Sequence, residues 1–324
     1  MLVKIPLRNQ SRAEWVADRE KYIGGSDVGV IYGWSDFICN IELFYQKLGE
    51  SPLGEDNRFS FMGRYMEDVI ADLFKYWDGD TESIVRNHTM GVKVREVRRT
   101  NFRYTDDRWP WLSCNLDRFY KEPDRTGIID CKNMMEWVEK KWELGIPHYH
   151  VTQVMTYMGV LGMSHAYVVV LVGGNRMEAY PIEFSKEIFD GIVDRTHDFW
   201  QRLEAARKVK AETGATGNEL IAMLSYMGIE PEPILGDAYE EYLKKRYTME
   251  EGMRIGSDAD MNNAILLAET KEQKKLIEAR EVDLSCLIRQ SIGPAQGLEF
   301  PGTKSKITCN PDKNGKRTLR LYLQ

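Results

Sequence analysis

No apolar run in this chain approaches the ~18 residues that cross a bilayer, which argues against a helical membrane span. The N-terminus, MLVKIPLRNQ, lacks an apolar h-region, so no signal peptide is expected. Cysteine is scarce and odd in number: Cys39, Cys114, Cys131, Cys286 and Cys309, with no CxxC pair. That argues against a zinc ribbon or an iron–sulfur cluster and fits reduced thiols in a cytoplasmic protein. A positive balance is missing as well, with 44 Lys and Arg against 50 Asp and Glu, a net charge of −6. A nucleic-acid site here must therefore be a local basic groove, or metal ions must supply part of the positive charge. There is no internal repeat and no low-complexity tract.

What is present belongs to a packed protein. The 324 residues are 43% hydrophobic, with 8 Trp and 16 Tyr, enough for one large domain or a domain with an appendage. A helical pattern spans residues 11–22. GGSDVGVIYG follows as a glycine turn, an N-cap at Ser26 and a short helix ended by Gly33; Asp27 is an alternative cap. NIELFYQKLG is a second short helix, capped by Asn40 and closed by Gly49. After a polar loop at 50–58, SFMGRYMEDVIADLFKYW is strongly amphipathic, with Met62, Met66, Val69, Ile70, Leu73 and Phe74 as its stripe. Strands are expected at MGVKVREV, WLSCNLDRFY and GIIDCK, then helices at 134–143 and YHVTQVMTYMGVLG. HAYVVVLVGG and RMEAYPIEF pair across a Gly-Gly-Asn turn, and a helix runs over 185–210. AETGATGNE is the best boundary, separating a domain at 1–212 from an accessory region at 213–324. That region carries a charged helix near 259–292 and a terminal hairpin turning at Asn314-Gly315.

GIIDCKN carries the chemistry. Alternation places Asp130 and Lys132 on one face of a strand. If Glu122 to Arg125 form a four-residue turn around Pro123, Asp117 falls opposite Asp130 and Asn115 opposite Lys132. Facing carboxylates repel unless a cation, Lys132 or a divalent metal, lies between them. Hard oxygen ligands at this spacing suit magnesium or manganese; a salt-bridged surface hairpin is the plain alternative. Glu67 sits near the apolar stripe of the strongest helix, where a carboxylate is costly unless paired or bound to metal; it is otherwise a stripe-edge residue. Gln153 and Tyr157, at i and i+4, share a helix face that follows the acid–base strand. His148 and His150 form an HxH pair with no third ligand nearby and read as structural.

The order Glu67, Asp117, DCK and QVMTY resembles the PD-(D/E)XK nuclease core. WVADREKYIGGSDVGVIYG, GRYMEDVIADLF, NLDRF and IPHYHVTQVMTYMGVLG resemble, in order and spacing, the YqaJ-type viral recombinases of the lambda-exonuclease branch, over residues 11–200. Asp130 departs from the Glu more usual in that branch. The resemblance implies an α/β fold of α+β type, a central mixed sheet flanked by helices, with a helical and β-hairpin C-terminal extension. It implies a Mg2+-dependent exonuclease, with Mn2+ as a substitute, degrading linear duplex DNA 5′→3′ and leaving 3′ single strands for recombination. Asp117, Asp130 and the Cys131 carbonyl would hold metal, with Glu67 on a second ion or its water. Lys132 would orient water or steady the phosphate, and Gln153 would position them, supported by Tyr157. Arg19 and Ser26 would capture the 5′-phosphate; otherwise Arg19 is a surface charge. Partners implied are DNA ends, a single-strand annealing protein and further copies of the chain, as a trimeric ring whose hole VREVRR would line. Two other readings stay open: a RecB-like single-strand exonuclease or endonuclease, and a non-catalytic DNA-binding module.

Overall fold

Alternating apolar runs build the sheets, and two layers of helices cover the longest of them. The computed structural model describes residues 1–7, 12–51, 57–142, 145–247, 251–312 and 315–323. Its elements run β1 (Leu2–Pro6), α1 (Arg12–Glu20), β2 (Ile23–Gly24), α2 (Gly25–Ile31), α3 (Asn40–Lys47), α4 (Arg58–Phe74) and α5 (Thr81–Thr89). Next come β3 (Glu96–Arg99), β4 (Phe102–Asp106), β5 (Trp109–Cys114), β6 (Arg118–Lys121), β7 (Thr126–Met134), a 3-10 helix (Glu136–Trp142) and α6 (His148–Leu161). β8 (His165–Val172), β9 (Arg176–Glu183), α7 (Lys186–Thr213), α8 (Gly217–Tyr226) and α9 (Asp237–Arg246) complete a first compact unit, Met1–Met249. The second unit, Glu250–Gln324, holds α10 (Asp258–Ile292), β10 (Gly297–Glu299), β11 (Lys306–Pro311) and β12 (Arg317–Tyr322). Ser11, residues 52–56 of the expected loop, Glu143 and Asn314 of the expected turn lie outside the described residues.

In the first unit a five-stranded mixed sheet has the order β3-β6-β7-β8-β9. Only β7 and β8 within it run parallel, and the connection between them carries α6. A second sheet has the order β1-β4-β5-β2. In the second unit β10, β11 and β12 pair antiparallel over a small core of Ile292, Ile307 and Cys309. The expected α/β class with a mixed central sheet is present. β8 is buried on both faces, which explains its unbroken apolar run from Ala166 to Val172. Ile128, with Val168 and Val170 of β8, packs against Val154 and Met158 of α6. Ile129 and Cys131, with Val169 of β8, pack against Ile70 and Phe74 of α4. Asp130 and Lys132 therefore share the α6 face with Ile128.

Several expectations are corrected. WLSCNLDRFY is not one strand: β5 and β6 belong to different sheets, and residues 115–117 link them. The four-residue turn is present, with Glu122 N donating to Arg125 O at 2.8 Å. Its register continues as expected to Arg118 opposite Ile129, where the ladder stops, so neither Asp117 and Asp130 nor Asn115 and Lys132 are paired strand residues. The MGVKVREV stretch begins beyond α5, and only its end enters β3. Residues 134–143 are not an α-helix; β7 runs to Met134 and a 3-10 helix follows. Met62 and Val69 are exposed, because α4 buries only the Ile70, Ala71 and Phe74 side of its stripe. The caps shift by one or two residues: Gly24 precedes α2 and Cys39 precedes α3. AETGATGNE is a tight turn between packed helices, with Gly214 at φ +69 closing α7. Leu220 and Leu224 of α8 are fully buried in the main core, and the Asn40 amide donates to Glu232 O at 2.7 Å. Residues 213–249 thus pack with the first unit, and the division lies at Met249/Glu250 instead of 212/213. Among the described residues, no helix is long and apolar enough to cross a membrane.

Candidate active site

The acid–base strand and α6 meet as the alternation of β7 requires. Lys132 Nζ lies 3.1 Å from Asp130 Oδ1, and Gln153 Nε2 donates to that same oxygen at 3.0 Å. Gln153 Nε2 also reaches Tyr157 Oη at 3.2 Å, and its Oε1 lies 3.4 Å from Lys132 Nζ. Asp130 Oδ2 lies 2.8 Å from Lys132 Nζ, so the ammonium pairs with both oxygens of this carboxylate. Asp117, in the link between β5 and β6, turns its Oδ2 onto the Cys131 N–H at 2.7 Å. It is the N–H of Cys131 that meets Asp117. Arg118 grips Asp68 of α4 and donates to Asp117 O at 2.5 Å, tying the link to the helix that carries Glu67.

Charge is unbalanced here. Burial, then the negative charges of Asp130 and Glu67, push the Asp117 carboxyl up to about 8. Burial also raises Glu67, against the pull of Arg118 and Lys132. Burial works against the Lys132 ammonium, but Asp130 and Asp117 outweigh it and hold that group above its ordinary value. Three carboxylates thus share one field with the Lys132 ammonium and the Arg118 guanidinium. Hard oxygen donors and a surplus of negative charge fit a divalent cation of the magnesium type. Among the described residues, however, no three His, Cys, Asp or Glu side chains close around one point. The acids are neighbours in charge without forming a ready cage.

Glu67 and Asp117 line a cavity of about 350 Å³ together with Arg19, Ser26 and Tyr157. The sequence-predicted residues from both ends of the domain therefore converge. Ser26 stands in the first turn of α2, while Asp27, the alternative cap, reaches back to the Gly24 N–H at 2.9 Å. Arg19 pairs with Asp27 at 2.6 Å, and buried Lys47 pairs with Asp27 at 2.7 Å. Lys47 and Arg19 hold the Asp27 carboxyl down at about 2 although burial alone would raise it. Tyr157 is buried, its ring a wall of the cavity.

Sequence reasoning missed Lys47, Arg64 and Arg103, which also line this cavity. Arg103 is 2% exposed, and only its Nη2 meets a carboxylate, Asp18 at 2.6 Å. Among the described residues its Nε and Nη1 are buried with no hydrogen-bond partner. An interior guanidinium with idle donors on a cavity wall is suited to an anion. Its signal in the sequence was only an arginine at the inward position of an alternating strand. The HxH pair is structural in its contacts: exposed His148 lies tilted against Trp34, and half-buried His150, lowered to about 3 by desolvation, lies against Trp142.

Residues 14–164 match the model of the YqaJ-like viral recombinase domain. The uncharacterized protein YqaJ of Bacillus subtilis (strain 168) is 30% identical over 241 residues, which are 73% of this chain. The match spans 64% of that relative's length. Among solved structures, the alkaline exonuclease LHK-Exo of Laribacter hongkongensis, in complex with dAMP, aligns at 16% identity and a TM-score of 0.45, over 62% of this chain and 98% of its own. A phage related exonuclease from Haemophilus somnus 129PT aligns at 13% identity and a TM-score of 0.40, over 57% of this chain and 95% of its own. Over residues 14–164 the chain is thus similar to the YqaJ-like viral recombinase domain family.

Proposed function

We propose that the chain is a divalent-metal-dependent exonuclease that trims linear duplex DNA from its 5′ ends and leaves 3′ single-stranded tails for recombination. The observation that carries this reading is one cavity lined by Glu67 and Asp117 together with Arg19, Ser26 and Arg103, with Asp130 and Lys132 close enough to Asp117 to act on its charge. The match of residues 14–164 to the YqaJ-like viral recombinase domain supports DNA as the substrate.

Phosphodiester hydrolysis builds negative charge on the phosphate, and fixed cations must meet it. Lys132, kept protonated by Asp130 and Asp117, presents its ammonium to that charge or to the attacking water. Gln153 holds Asp130 and faces Lys132, so it sets the direction of both. Asp117 is oriented by the Cys131 N–H. Glu67, Asp117 and Asp130 would hold Mg2+, with Mn2+ as substitute; when bound, the ion neutralises phosphate charge and acidifies water near neutral pH. Arg103 and Arg19, with the Ser26 hydroxyl, would take the terminal phosphate. A ring of identical chains and a single-strand annealing partner belong to the same proposal.

The test is end-labelled DNA incubated with the full chain in magnesium or in EDTA. Expected is shortening of 5′-phosphorylated linear duplex in magnesium alone, with slower loss of 5′-hydroxyl ends and no attack on closed circles. Lys132→Ala should slow hydrolysis by about a hundredfold to a thousandfold. Cleavage of circles, or preference for single strands, would establish an endonuclease or RecB-like enzyme instead. Binding without product under any divalent ion would establish a non-catalytic module.

A further inference from the structure

Beside the acidic site, β3, β6, β1 and β4 border an open groove of about 510 Å³. Lys4, Arg98, Arg99 and Lys121 line it, and no carboxylate does. That is a local reversal of sign on a chain of net charge −6. Arg95, from the same VREVRR run, plays no part: it is buried, paired with Glu122 at 2.8 Å and bonded to the Phe74 and Trp77 carbonyls. Arg98 and Arg99 face Glu96 at 2.6 Å and Asp68 at 3.3 Å, but both pairs are exposed. Exposed pairs contribute little, so phosphates can replace those carboxylates at small cost. Among the described residues, Lys121 has no carboxylate partner.

The groove also carries an aromatic row. Buried Tyr104 meets Phe119 edge-on at 5.9 Å and Phe102 at 6.4 Å, and its hydroxyl is tied to Thr100 Oγ1 at 2.8 Å. Phe102 remains 38% exposed. These rings are fixed before anything binds, so little ordering cost remains for a planar group laid on them. A cationic track beside fixed rings is how sequence-tolerant proteins hold single strands, with phosphates on the cations and bases on the rings. The volume is that of a small-molecule site; it takes a strand and not a duplex.

We propose that this groove binds single-stranded DNA. The proposal rests on the nuclease reading only for the origin of that strand. Arg99 pairs with Asp68, the residue after Glu67, and Phe119 follows Arg118, which reaches Asp117 O. A strand parted at the acidic site would meet these cations next.

The experiment measures fluorescence anisotropy of a labelled oligothymidylate of about 12 nucleotides with the full chain in EDTA, where no cleavage is required. Phe102→Ala should weaken binding about tenfold. An oligomer of abasic residues should bind the wild type about that much more weakly and be indifferent to Phe102→Ala. Lys121→Ala should reduce the slope of log affinity against log salt by about 0.7, the value for one phosphate contact on a single strand. Both side chains reach solvent, and unchanged thermal midpoints would show that the variants fold. Failure of the wild type to bind, or binding indifferent to both substitutions, overturns the groove. Affinity that depends on the cations but is equal for abasic and thymidine oligomers overturns the stacking claim. Groove-dependent binding in a protein that cuts no DNA would uphold the groove and reject the nuclease reading.

Discussion

Asp117 stands where two other carboxylates send their charge. Its folded value of about 8 lies above the 3.8 of an unperturbed aspartate, so between those values the folded chain holds a proton that the unfolded chain has released. Stability of the metal-free protein therefore falls as pH rises from about 4 to about 8, the opposite of a salt-bridged carboxylate. A cation bound by the ionised carboxylates takes the proton's place. In EDTA the thermal midpoint should fall across that window, and magnesium should raise it more near pH 8 than near pH 5. Asp117→Asn should flatten both trends. A midpoint indifferent to pH and magnesium would mean that Asp117 is not under this field.

At the scale of elements, the site depends on how closely α2 approaches α6. A Cβ on Gly25 would lie 2.5 Å from Tyr157 Cε1 and 3.0 Å from the Gln153 carbonyl oxygen. The ring is buried and the carbonyl is helix backbone, so neither can yield; the helices must separate. Gly25→Ala should destabilise by about 1–3 kcal/mol and reduce hydrolysis by displacing Ser26, Gln153 and Tyr157 together. Gly24→Ala is the control: its Cβ would meet nothing nearer than Asp27 Oδ2 at 3.6 Å, at an ordinary φ of −82. Urea midpoints and initial rates of the two variants check this. The shared face of Asp130 and Lys132 was legible from alternation, and the Gln153–Tyr157 pair from helical spacing. The break between β5 and β6 was not, because the signal of a strand does not reveal which sheet it joins.

At the scale of the molecule, the two compact units have separate cores. Leu220 and Leu224 tie residues 213–249 to the first, each by about 1.5–3 kcal/mol of burial. Arg202 adds a bond to Glu230 O at 2.9 Å. A chain of residues 1–249 should therefore keep its cooperative unfolding and its hydrolytic activity. A chain ending at 212 should unfold at markedly lower temperature. Calorimetry of both checks this, and equal midpoints would return the boundary to the glycine-bearing turn. The small polar residues of AETGATGNE favour a turn, but whether a turn separates domains depends on what the following helix buries.

Read alone, the chain determines local things: the Glu122–Arg125 turn and its register, the face that Asp130 shares with Lys132, and the order of family motifs. These follow from backbone periodicity and turn stereochemistry, which neighbours along the chain settle. Only the tertiary structure decided that Arg103, Lys47 and Arg64 join Arg19 and Ser26 around one cavity, that burial and two neighbouring carboxylates raise Asp117, and that VREVRR divides between core and groove. Burial and electric field are sums over neighbours in space, and no spacing along the chain records them.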